Sequence, residues 1–182
     1  MYRGNHADTG DRRILARRIV VWSIAFFVLC ILQCSFFARL KPFGAVPDIT
    51  LGALCGVLML DNKWSASICA LGAGYFIDAL GAVAPSFSPL FYILAVAVIG
   101  ALSEKMMPRF LSFAVLLIPA SALKCLFTYL GIWVYMGARP ALSCVTDVLL
   151  PEFISTVVVC LPIYFVIKLC VIPIEAKGRF SF

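Results

Sequence analysis

Four ionisable side chains lie within otherwise apolar stretches: Asp48, Asp78, Lys124 and Glu152. A charge in hydrocarbon costs about 3 kcal/mol on insertion scales, so such a group faces protein or water rather than lipid. The chemistry open to these residues is ion pairing within the chain, contact with a partner, or contact with a ligand. Asp48 follows Pro47 at the start of an apolar segment, the position of a helix N-cap, where its carboxylate would accept from orphan backbone N–H groups. Asp78 has no such role, because it lies about 9 Å inside its segment at about 1.5 Å per residue. Lys124 is near the middle of the fifth segment and Glu152 about a turn inside the sixth. Asp78 or Glu152 is the expected counter-ion of Lys124, and spacing alone does not choose between them.

Small residues share faces with the two aspartates. Asp48, Gly52 and Gly56 repeat at i,i+4, as do Ala66, Ala70, Gly74 and Asp78. Side chains at that spacing line one side of a helix, and small-xxx-small faces let a second helix approach closely. The antiparallel order of the two segments brings both carboxylates toward one end. The expected use of Asp48, Gly52, Gly56, Ala70, Gly74 and Asp78 is therefore helix packing, with a partner's helix as one candidate occupant.

The residues for catalysis are sparse. The single histidine, His6, lies in the polar N-terminal stretch, and the chain contains no HExxH, GxSxG or P-loop pattern. The expectation is that the chain is not an enzyme. Eight cysteines sit mostly within apolar runs, which reads as small buried hydrophobes. Cys30 and Cys34 share a face, but two further ligands are missing for a metal site. Neither metal nor cofactor is expected.

The elements that must carry these residues follow from composition. Of 182 residues, 63% are hydrophobic and only 13% charged, against roughly half apolar and a quarter charged in soluble domains. That excludes intrinsic disorder, argues against a soluble enzyme, and leaves lipid as the solvent. The basic residues are scattered, which argues against nucleic acid. A helix needs about 20 apolar residues to span the bilayer. Six segments approach this: 19–38, 46–60 (short), 64–84, 88–103, 109–136 and 148–171. The fold expected is an all-α integral membrane protein, a bundle of six transmembrane helices joined by short loops. It is organised as a basic N-terminal segment 1–18, a membrane domain 19–172 and a tail 173–182. The first apolar run is too long for a signal h-region.

Basic residues fall mostly at one side of this arrangement: Arg3, Arg12, Arg13, Arg17, Arg18, Lys63, Lys105, Arg109, Lys177 and Arg179, against Arg39, Lys41 and Arg139 on the other. The positive-inside rule places both termini in the cytoplasm. Arg12, Arg13, Arg17 and Arg18 form a patch suited to anionic lipid, worth about 1 kcal/mol per side chain.

Three segments carry a family resemblance: Val46-Pro47-Asp48-Ile49-Thr50-Leu51, Gly72-Ala73-Gly74-Tyr75-Phe76-Ile77-Asp78-Ala79-Leu80 and Ser88-Pro89-Leu90-Phe91-Tyr92. In this order and spacing the chain resembles the rod shape-determining protein MreD family. The resemblance implies a non-catalytic subunit of the bacterial cell-elongation machinery in the inner (plasma) membrane. It would bind the single-span protein MreC. It would also help couple MreB filaments to the peptidoglycan synthase of RodA and a class B penicillin-binding protein. MreD-like proteins are similar in architecture to the S-components of energy-coupling-factor vitamin transporters. The alternative is such a substrate-binding subunit, with an outward pocket lined by Asp48, Asp78, Glu152 and Tyr92.

Overall fold

A computed structural model of the chain describes residues 19–61, 63–81, 87–104, 106–107, 109–137 and 142–169. The described residues form six helices and no strand. They are α1 (Ile19–Leu40), α2 (Ile49–Leu60), α3 (Lys63–Gly81), α4 (Phe87–Ser103), α5 (Phe110–Met136) and α6 (Val145–Leu169). The last follows directly on the short helix Leu142–Cys144. Thus the sixth helix begins earlier than the expected 148. The expected segments 1–18 and 173–182 lie outside the described residues, and Arg12, Arg13, Arg17 and Arg18 with them.

Three helices are long and apolar enough to cross a membrane: α1, α5 and α6. Helix α2 is not. Its 12 residues reach only about 18 Å at about 1.5 Å per residue, well short of the roughly 30 Å hydrocarbon layer. Its sequence, Ile-Thr-Leu-Gly-Ala-Leu-Cys-Gly-Val-Leu-Met-Leu, has no polar face, and every residue from Ile49 to Leu58 is buried. A helix that is apolar all round belongs inside a core, and here the neighbours surround it.

Side-chain contacts fix the direction of each helix. Trp22 at the start of α1 donates from its indole Nε1 to Asp61 Oδ2 at 2.7 Å, whereas Gln33 further along meets Thr50 at the start of α2. Hence α1 and α2 are antiparallel. Tyr92 of α4 reaches Asp48, and Gly100 lies against Leu58, so α4 runs with α2. Along α6, Thr156 meets Asp48, Cys160 meets Gly52 and Ile167 meets Gly56, so α6 also runs with α2. In α5, Phe113 contacts Tyr164 while Lys124 reaches Asp48, so α5 opposes α6. The helices therefore alternate, and Ile19 and Leu169 lie toward the same end, that of Asp61. At that end Lys63 pairs with Glu104 on the surface. The hydrogen bond and charge of the ammonium hold the Glu104 carboxyl below its usual range.

Two proline effects shape the long helices. Pro119 is accommodated within a continuous α5. Pro162 leaves a turn at 161–162, and the Phe165 amide bonds instead to the Pro162 carbonyl at 3.1 Å. Proline lacks the N–H that would continue the ladder.

Candidate functional site

The opening of α2 collects polar side chains from α1, α4, α5 and α6. Asp48 is the N-cap: its Oδ1 accepts from the Leu51 amide at 3.0 Å, as its position after Pro47 predicts. The Tyr92 hydroxyl donates to the same carboxylate, 2.9 Å from each oxygen. Lys124 Nζ lies 3.3 Å from Oδ2. Three donors from α2, α4 and α5 thus meet one carboxylate that is only 2% exposed. The surrounding backbone is equally engaged. The Asp48 amide donates to Thr156 Oγ1 at 3.0 Å, and the Cys160 thiol donates to the Asp48 carbonyl at 3.3 Å. Gln33 Oε1 accepts from both the amide and the hydroxyl of Thr50, at 3.0 and 2.8 Å. The first turn of a helix leaves N–H groups without intrahelical partners. In α2 these are met by its own Asp48 and by Gln33 of α1.

The counter-ion of Lys124 is therefore Asp48, neither of the two acids expected. The reason is depth: α2 is short, so its N-terminus sits inside the bundle at the level of mid-α5. Glu152 remains close enough to act on the lysine's charge without entering ion-pair distance. The ammonium also lies 4.8 Å over the Phe91 ring and 5.6 Å over that of Tyr92, adding cation–π attraction.

Asp78 stands apart. It pairs with neither Lys124 nor Asp48, and both of its carboxylate oxygens are closed off from solvent without a hydrogen-bond partner among the described residues. By the antiparallel order of α2 and α3 it lies toward the same end as Asp48, as expected.

The small-residue faces are occupied by the chain itself. A Cβ on Gly52 would strike Cys160, one on Gly56 would strike Ile167, and one on Gly74 would strike the backbone of Pro89. Ala66 and Ala70 are fully buried. These faces therefore pack α6 and α4 against α2 and α3, and they are not open to a partner's helix. The i,i+4 pattern marks close approach and carries no information about whether the approaching helix belongs to the same chain.

Gln33, Thr50, Thr156 and Cys160 complete the polar cluster without having been singled out in the sequence. Thr156 shares a face with Glu152 at i,i+4, and Gln33 is the lone amide in an apolar helix; both are signals of a satisfied interior position. Beside this cluster, the loop Lys41–Val46 and the residues Asp147, Val148 and Glu152 of α6 enclose a cleft of about 300 Å³.

No protein-family model, curated protein or solved structure matches this chain.

Proposed function

We propose that this chain is a non-catalytic, multi-pass subunit of the bacterial rod-shape machinery, of the MreD kind, in the plasma membrane. Both termini would be cytoplasmic, and the six-helix bundle would have an S-component-like architecture. The observation that carries the reading is the convergence of the three segments on which the resemblance rests. Asp48 of the first is bonded by Tyr92 of the third, and Gly74 of the second lies directly on Pro89 of the third. Residues scattered over some forty positions form one packed unit, which is how a family's shared fold would be specified.

In this reading the bonded interior residues hold shape, and partners meet the exterior and Asp78, one turn beyond the packed Gly74. The partner would be an MreC-like single-span protein, with RodA, a class B penicillin-binding protein and, indirectly, MreB in the same assembly. Asp78 is the interior acid whose function is not accounted for by folding, since no described residue bonds it. A donor supplied by a partner's helix, after a small rearrangement of α3, would satisfy it. The test is affinity capture of an MreC-like protein co-expressed with the chain. Capture by the wild type that weakens in Asp78→Leu, while the variant stays folded, supports the reading. No capture by the wild type overturns it.

A second reading, a vitamin-binding transport subunit, rests on the cleft beside Glu152, although of the four residues expected to line such a pocket only Glu152 does so, Asp48 and Tyr92 being buried against each other. Native mass spectrometry of the purified protein separates the two: a stoichiometric soluble vitamin would replace the scaffold reading.

A further inference from the structure

The cleft lies at the end of α1 and the start of α6, two helices long and apolar enough to cross a membrane. One wall is the loop that follows the last residue of α1, Leu40; the other is the first turns of α6. Both walls depart from regular geometry. Lys41 and Phe43 are held at positive φ (40° and 59°), uncommon for any residue but glycine. The helix is π-wound at Leu32–Phe37, just before the loop, and again at Val145–Leu149, which carries Asp147 and Val148. Such π turns cluster at functional sites, and strained backbone persists where its surroundings hold it.

The charges in the cleft are mixed. Among the described residues, Lys41, Asp147 and Glu152 line it. Lys124, which lies behind Glu152, is taken by Asp48 at 3.3 Å. That leaves two carboxylates and one ammonium facing the same space. Leu40 and Phe43, next in sequence to lining residues, and Val148, which lines the cleft, are exposed, an apolar collar beside it.

We propose that this cleft binds a phospholipid headgroup bearing a primary ammonium beside its phosphate, as in phosphatidylethanolamine. The ammonium would sit between Glu152 and Asp147, the phosphate on Lys41, and the acyl chains along the collar. A volume of about 300 Å³ suits a headgroup and falls at the small end of ligand pockets. The excess of carboxylates disfavours an anionic headgroup that lacks an amine. A quaternary ammonium has no N–H to donate, so choline lipids would lose the charge-assisted hydrogen bonds that favour ethanolamine. The proposal is independent of the partner reading above.

The test is native mass spectrometry of the full-length protein in micelles containing equal amounts of phosphatidylethanolamine, phosphatidylcholine and phosphatidylglycerol with matched acyl chains. Retention of the ethanolamine lipid should exceed that of the other two by about tenfold, the effect of one good charge-assisted contact. Glu152→Gln and, separately, Lys41→Met should each erase most of that preference while the protein keeps its helical circular-dichroism spectrum. Asp147→Asn, at an exposed position, gives a third variant with little risk to folding. Equal retention of the three lipids, or a preference that survives Glu152→Gln and Lys41→Met, overturns the proposal. Saturable binding of free phosphoethanolamine without lipid discrimination also overturns it, by assigning the cleft to a soluble ligand.

Discussion

Asp48 and Asp78 are both carboxylates in apolar surroundings, yet their substitution should have opposite effects. Asp48 accepts from a backbone amide, a tyrosine and a lysine. Asp48→Asn leaves Lys124 without its counter-ion inside the bundle, and breaking a buried pair costs about 3–5 kcal/mol. Thermal unfolding in micelles should show a large fall in Tm. In Asp48→Asn/Lys124→Met part of the loss should return, because the unpaired ammonium is gone. Additive losses would mean that the two residues do not act as a pair. Asp78 makes no bond to any described residue, and an unsatisfied buried polar group costs about 1–3 kcal/mol. Asp78→Leu should therefore raise Tm. A fall in Tm would show that the carboxylate is satisfied in the membrane and would remove the argument for a partner's donor there.

At the scale of elements, helix contacts depend on what each glycine touches. Adding a methyl at Gly74 meets the backbone of Pro89, which cannot move without shifting α4. At Gly56 the obstacle is chiefly the flexible end of Ile167, and Gly72 has open space. Overpacking costs about 1–3 kcal/mol, so the expected order of damage is Gly74→Ala, then Gly56→Ala, with Gly72→Ala nearly neutral. Ile167→Val should partly rescue Gly56→Ala and leave Gly74→Ala unimproved. Denaturation curves of these five variants, read against the wild type and Ile167→Val, decide this, and equal losses at Gly74 and Gly72 would contradict the α3–α4 contact. The element that departs most from expectation is α2. Its apolar run reads as a short span, but its length leaves it as a buried post around which the other helices stand.

For the whole molecule, alternation of six helices puts the two ends of the described bundle on one side. Single cysteines introduced at the two termini, in a background where the native thiols are blocked, should react with a membrane-impermeant maleimide from the same side only. In the orientation proposed from the basic residues that side is the cytoplasm. Labelling from opposite sides would show that one of the shorter helices does not traverse the bilayer with its neighbours. Because loops are short, such a change would have to invert every helix after it.

The sequence by itself determined the membrane class, the helices to within a few residues, the cap at Asp48 and the faces on which small residues permit close approach. All of these depend on composition, local periodicity or residues four apart. Only the tertiary structure decided that Lys124 meets Asp48, that α6 and α4 fill the glycine faces, and that Asp78 has no partner among the described residues. Those outcomes depend on the relative depth and rotation of helices far apart in the chain. Lys124 and Asp48 are separated by 76 positions (124 − 48), and no local pattern encodes the level at which a 12-residue helix comes to rest among longer ones.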